Sequence, residues 1–98
     1  MRAYELLYIV SPEADEEAIA AVVGKVNGTI ESLGGKLDGV IQTEPWGRRR
    51  LAYPVGSFEE GFYILCNFSL ESPQLGELER VLKLTDGVLR YLLTRRRE

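Results

Sequence analysis

The sequence predicts an α+β domain in which a four-stranded antiparallel sheet carries two helices on one face, the ferredoxin-like βαββαβ arrangement. Apolar residues follow strand-like patterns in four segments and recur at helical spacing in two others. These six segments follow one another in the order βαββαβ along 98 residues. A chain of this length has room for one modest core, so we expect residues 1–98 to form a single domain.

The first half of the chain predicts a strand, a helix and a bent second strand. Residues 4–10 form a compact apolar run typical of a strand. Apolar residues at helical spacing predict a helix that begins near Asp15 and stops at the pair Gly34-Gly35. An extended segment starts at Leu37, and we expect Pro45 and Gly47 to bend it before it resumes as far as residue 53. Pro54 and Gly56 are expected to end it.

The second half predicts a strand, a helix and a last strand. We expect an acidic turn at Glu59-Glu60, followed by the most apolar run of the chain, residues 61–70, as a central strand. Ser72-Pro73 indicates the start of the second helix. Asp86-Gly87 then predicts a turn into a strand over residues 88–94.

The predicted topology leaves one face of the sheet without helices. In it the first and third strands are central, so alternation places Leu7, Ile9, Tyr63 and Leu65 together on that face, joined by Leu92. An exposed apolar patch of this kind is typical of a contact site. The alternative is that a tail or a few long side chains cover it.

Several functional classes are excluded by what the sequence lacks. Histidine is absent, which removes the usual general base and the usual imidazole metal ligand. The single cysteine, Cys66, lies in an apolar run and is interpreted as a small buried hydrophobe. No glycine loop has phosphate-cradling spacing, so we expect no enzyme, no cofactor, no metal site and no small-molecule substrate. No apolar run approaches the roughly 20 residues of a membrane helix, and we expect no membrane partner and a cytoplasmic location.

The basic residues are segregated, although the net charge is −3. Arg48, Arg49 and Arg50 stand beside a strand-like run, where rigidly held guanidinium groups suit the phosphates of a folded RNA. The alternative is that they only solubilise a sheet edge. Stacking of single-stranded bases is not supported, because the third strand has Glu60 where RNA-recognition motifs want a basic residue.

Three segments together resemble one family, the sixth protein of the bacterial small ribosomal subunit. They are residues 1–5 (Met-Arg-Ala-Tyr-Glu), 47–55 (Gly-Arg-Arg-Arg-Leu-Ala-Tyr-Pro-Val) and 86–90 (Asp-Gly-Val-Leu-Arg), and their spacing covers nearly the whole chain. The resemblance implies a structural constituent of the small subunit. It also implies binding to the central domain of small-subunit (16S) rRNA together with the eighteenth small-subunit protein, as a heterodimer that supports assembly and translation.

The resemblance and the residue patterns together give two sets of candidate site residues. By resemblance Arg2, Arg90 and Arg95 lie near rRNA, and Arg48, Arg49 and Arg50 join them as candidate rRNA contacts. Trp46 and Tyr53 are expected near the companion protein, together with the open-face residues Leu7, Ile9, Tyr63 and Leu65.

Two other functions remain open from the sequence. One is a small regulatory domain that binds a ligand or an acyl phosphate, since the same architecture hosts such functions. Against it, the loop where a phosphate cradle would lie, residues 11–15, carries Glu13 and Asp15, which repel anions. The other is a protein adaptor without RNA binding, in which the arginines only solubilise the surface.

Overall fold

Five strands and two helices are present in residues 1–42 and 47–96, the part of the chain that the computed structural model describes. In chain order they are β1 (Arg2–Val10), α1 (Glu16–Ser32), β2 (Lys36–Ile41), β3 (Gly47–Val55), β4 (Phe58–Leu70), α2 (Leu75–Leu84) and β5 (Val88–Arg95). A single 3₁₀ turn, Ser72–Gln74, precedes α2. The predicted order of elements is thereby confirmed, apart from one additional strand.

The sheet is antiparallel throughout, and its strands run in the order β2-β4-β1-β5. The two strands predicted to be central, β1 and β4, are central. The predicted four-stranded sheet is wrong by one strand, because the single bent strand expected from Leu37 to Tyr53 is two strands. Both pair with β4, which at 13 residues is long enough to hold β2 along its second half and β3 along its first.

The turn between β3 and β4 lies earlier than the sequence predicts. Glu59 and Glu60 were expected to form it, but both belong to β4, and Glu60 lies opposite Arg50 of β3. The chain reverses at Gly56-Ser57 instead. Gly56 has φ 59°, a left-handed conformation that costs glycine nothing and other residues more, so glycine and not the acidic pair determines the turn.

One face of the sheet packs on both helices and forms the main core. The largest fully buried side chains are Tyr8, Phe68, Leu6, Ile30, Ile64, Leu70, Leu78 and Leu82. Within this core the Tyr4 and Phe68 rings lie 5.7 Å apart in a tilted pair. Cys66 is completely buried there, and burial raises the pKa of its thiol to about 11. The prediction that Cys66 is a small buried hydrophobe is confirmed.

Local signals fix the start of the first helix. The Asp15 carboxylate accepts a hydrogen bond from the backbone N–H of Ala18 at 2.8 Å, which satisfies one of the donors left free at a helix start. Glu16 and Glu17 lie in the first turn, where negative charge is favourable. The acidic residues at this point therefore stabilise the start of α1.

Candidate protein and nucleic-acid interface

The face of the sheet opposite the helices has an apolar half and a polar half. Strand pairing places Leu7 of β1 beside Leu65 of β4 and Leu92 of β5, and Ile9 beside Tyr63. Ile41 of β2 lies beside Leu65 at the edge. The predicted grouping of Leu7, Ile9, Tyr63 and Leu65 on one face therefore matches the register. Together with Ile41 and Leu92 they make up what we call the apolar half.

Exposure varies strongly within the apolar half. Ile9 and Leu65 are only 8% and 9% exposed, although no helix covers them, because their neighbours on the same face shelter them. Leu92 at 61% and Ile41 at 37% are exposed, and Leu7 and Tyr63 are half-buried. A partner would therefore touch mainly Leu92, Ile41, Leu7 and Tyr63, with Ile9 and Leu65 supporting them from below.

The polar half of this face includes Asp38, Ser69 and Arg96, and the Arg96 side chain crosses it. Arg96 follows β5 at one edge of the sheet, and its Nη2 donates to Asp38 Oδ2 at the opposite edge over 2.8 Å. Ser69 Oγ donates to the same carboxylate oxygen at 3.2 Å, and the Arg96 backbone N–H donates to the Ala3 carbonyl at 2.9 Å. The Arg96 guanidinium is thus held above the central strands and closes this half.

The three consecutive arginines of β3 do not share one face. Arg48 lies over the Phe62 ring and Arg49 over the Tyr63 ring, at 5.3 and 5.6 Å from the ring centres. Since Phe62 and Tyr63 are consecutive in β4, their rings lie on opposite faces of the sheet. Arg49 therefore borders the apolar half, whereas Arg48 and Arg50 lie on the helix side.

Arg48 is held by contacts within the protein. Its Nη2 forms an ion pair with Glu60, its neighbour across the hairpin, and its Nη1 donates to the Pro12 carbonyl at 3.3 Å. With the Phe62 ring beneath it, the guanidinium has a partner on three sides. Arg48 ties the β3-β4 hairpin to the loop after β1, a role that the sequence did not reveal.

A second group of basic residues lies along β5 and carries no such contacts. Arg90 lies opposite Ile9 and Arg95 opposite Tyr4, and Arg2 projects from the beginning of the neighbouring strand β1. All three are exposed, and within residues 1–42 and 47–96 none of their side chains makes a hydrogen bond or an ion pair. Arg50 is also without one, but it lies in a groove lined by Glu59 and Glu60.

Two candidate partner residues lie away from the apolar half or outside the described ranges. Tyr53 is 73% exposed near the tip of the β3-β4 hairpin, next to Pro54. Trp46 belongs to residues 43–46, outside the part of the chain that the structure describes. The candidate partner residues thus fall into the open sheet face and the hairpin tip, with Trp46 unassigned.

The described ranges contain no arrangement for metal chemistry. Within them no three His, Cys, Asp or Glu side chains are grouped so that they could hold a metal ion. Neither described helix has the length and apolarity required to cross a membrane.

Sequence reasoning missed two residues that the structure makes prominent. Lys83, in the last turn of α2, lines a groove together with Arg90. Arg96 reaches Asp38 across the sheet. Neither residue stands in a recognisable motif, and only the register of the sheet and the packing of α2 bring them to these positions.

Comparison with known protein families identifies one match that spans nearly the whole chain. The family model described as ribosomal protein S6 matches residues 3–95. The small ribosomal subunit protein bS6 of Desulfitobacterium hafniense (strain Y51) is 43% identical over 98 residues, all of both chains. The protein of the same name from Clostridium novyi (strain NT) is 46% identical over 93 residues, 95% of each chain.

A solved structure resembles this fold closely. The crystal structure of 30S ribosomal protein S6 from Thermotoga maritima superposes with a TM-score of 0.89 at 33% sequence identity. The match covers 97% of this chain and 87% of the other. The ferredoxin-like fold predicted from the sequence is confirmed by this likeness.

Proposed function

The chain belongs to the ribosomal protein S6 family, and from this premise we propose that it binds the central domain of 16S rRNA as a heterodimer with the eighteenth small-subunit protein. Membership itself makes the protein a structural, non-enzymatic constituent of the small subunit of the bacterial ribosome. The proposal adds the RNA, the partner and the surfaces that meet them. We assign the apolar half of the open sheet face to the partner, and the unpaired arginines along β5 to the RNA.

The observation that carries the proposal is that one strand borders both surfaces. Leu92 of β5 is the most exposed member of the apolar half. The side chain of Arg90, two residues earlier on the same face, has no hydrogen bond or ion pair within the described residues. A partner seated on Leu92 would therefore lie beside Arg90.

Charge explains why a partner would be needed. The chain has a net charge of −3, and long-range electrostatics therefore do not draw it towards RNA. Phosphate contacts dominate the affinity of proteins for nucleic acids, and among the described residues only four arginine side chains are unpaired, those of Arg2, Arg50, Arg90 and Arg95. The isolated chain is accordingly expected to bind rRNA weakly with a shallow salt dependence, and a basic partner would supply the remaining contacts.

The proposal is tested by filter binding to a fragment of the 16S central domain, with the isolated chain, the isolated partner and the mixture. We expect negligible binding of the isolated chain and a tight ternary complex with the mixture. Tight binding of the isolated chain would contradict the claim that RNA binding requires the partner. Association with the partner that excludes the RNA would instead favour the protein adaptor.

A further inference from the structure

We propose that the groove between the end of α2 and the start of β5 binds a phosphate of the RNA backbone, held by Lys83 and Arg90. This inference rests on the proposed function and deepens it, because it adds a site and a residue that neither the sequence motifs nor the comparisons assign. The ligand chemistry is a phosphate group with its attached ribose.

The groove is shaped by the turn that joins α2 to β5. Its volume is about 330 Å³, and it is lined by Leu82, Lys83, Val88, Leu89, Arg90 and Tyr91. Lys83 comes from the last helical turn and Arg90 from the third position of the edge strand, so basic residues of two different elements line the groove. Leu82, Val88 and Leu89 form much of the remaining wall.

Both cations are available. Lys83 and Arg90 are exposed, and within the described ranges neither side chain makes a hydrogen bond or an ion pair. By contrast Arg48, Arg80 and Arg96 each have a carboxylate partner. Of the carboxylates on α2 and its following turn, Glu79 accepts a hydrogen bond from the Tyr91 hydroxyl at 2.9 Å, and Asp86 lies in the turn.

The backbone adds donors and acceptors to the same groove. β5 is the terminal strand of the order β2-β4-β1-β5, and its outer edge has no strand partner in residues 1–42 and 47–96. Such an edge presents alternating free N–H and C=O groups. N–H groups can donate to phosphate oxygens, and C=O groups can accept from a ribose 2′-hydroxyl, so the edge suits RNA in particular.

An added protein strand is the competing occupant of an open edge. Charge favours RNA, because Arg90 and Arg95 place basic side chains on the two opposite faces of β5 beside its open edge, and Lys83 lies next to that edge. Basic residues on an edge oppose pairing with another strand. The same residues attract a chain of phosphates.

The test compares Lys83→Gln with Lys25→Gln in the heterodimer, using filter binding to the 16S central-domain fragment over a range of salt concentrations. Lys25 is a matched control, an exposed and unpaired lysine on α1, away from the groove. We expect Lys83→Gln to weaken binding by roughly fivefold and to reduce the log-log salt slope by about one, as for the loss of one phosphate contact. Lys25→Gln should change neither, and Lys83→Arg should retain both.

Each other outcome overturns the inference. Equal binding by Lys83→Gln and the parent heterodimer would exclude the site and leave the proposed function intact. Loss of partner association without loss of RNA affinity would identify the edge as a protein-docking strand. A parent heterodimer that does not bind RNA at all would refute the proposed function and this inference with it.

A second arm separates RNA from free phosphate. Inorganic phosphate is titrated into the isolated chain while the backbone amide resonances of residues 83–91 are followed by NMR. We expect weak shifts, because one phosphate lacks the ribose and the neighbouring phosphates. Tight binding of inorganic phosphate, unaffected by the RNA fragment, would assign the groove to a small anion and overturn the RNA assignment.

Discussion

The two basic regions of this protein, β3 and β5, differ in how far their arginines are engaged within the fold. Arg48 of β3 is held by Glu60, by the Pro12 carbonyl and by the Phe62 ring. The side chains of Arg90 and Arg95 of β5 have no hydrogen bond or ion pair among the described residues. The region with the more conspicuous sequence is therefore the more engaged one, and consecutive arginines are not by themselves a binding surface.

The difference has a physical cause in the sheet. The β3-β4 hairpin extends beyond the reach of β2, so it depends on cross-strand pairs and on its tie to the loop after β1. β5 is already held along β1 and packs on α2. Its exposed arginines contribute little to the fold and remain available for a ligand.

The largest expected effect concerns the close packing beneath the hairpin. A Cβ on Gly61 would lie 2.6 Å from Ile9 Cγ2 and 3.1 Å from the Val10 carbonyl oxygen, so Gly61→Ala should lower the free energy of unfolding by about 2–3 kcal/mol. Urea unfolding followed by circular dichroism measures it. Unchanged stability would show that the hairpin is not anchored to β1 at this point.

The next effect tests the apolar half of the open face. Leu92→Glu should weaken association with the partner by roughly 30-fold, since about 2 kcal/mol of apolar burial is lost and a charge is introduced. Leu84→Glu is the matched control, because Leu84 is similarly exposed at 66% but lies at the end of α2. Isothermal titration calorimetry with the partner measures both, and equal effects would remove the open face from the interface.

A smaller effect is expected at Arg48. Its ion pair is about half exposed and is discounted for solvent screening, so Arg48→Ala should lower stability by about 1 kcal/mol, shared between the Glu60 contact and the Phe62 ring. A double-mutant cycle with Glu60→Ala isolates the pair and should give a coupling of about 0.5 kcal/mol. A coupling of zero would mean that the ring and the Pro12 carbonyl hold Arg48.

The smallest expected effect is a gain in stability, at a position in α1 away from both basic regions. Gly28 lies in α1, where a Cβ would meet nothing within 4 Å, so Gly28→Ala should raise stability by about 0.5–1 kcal/mol through helix propensity alone. Thermal unfolding measures the gain. RNA affinity of the heterodimer should not change, and a change would show that stability and binding are coupled in this protein.

Much of the fold could be predicted from the sequence, because the spacing of apolar residues indicates which face of a strand or helix is buried. Alternation in β1 and β4 and helical spacing in α1 were sufficient to place the central strands and the helix-covered face. The additional strand was missed because periodicity does not reveal where a long strand such as β4 changes partners. The end of β3 at Pro54 and Gly56 was predicted, but the turn itself was wrongly assigned to Glu59-Glu60, because that acidic pair was given more weight than the glycine that can adopt a positive φ.

The candidate site was less predictable, because it depends on which charges meet. Alternation could show that Arg48, Arg49 and Arg50 do not share a face, but not that Arg48 pairs with Glu60. Lys83 and Arg90 are separated by a turn and line one groove only because α2 packs against β5. Asp38 and Arg96 stand at opposite edges of the sheet, and no spacing rule connects them.

The most direct test of the account is the salt dependence of rRNA binding by two heterodimers, one carrying Arg48→Gln and the other Arg90→Gln. If β3 holds the hairpin and β5 holds the RNA, Arg90→Gln reduces the log-log slope by about one, whereas Arg48→Gln leaves it unchanged and lowers only the stability. A slope that falls with Arg48→Gln and not with Arg90→Gln would contradict the account.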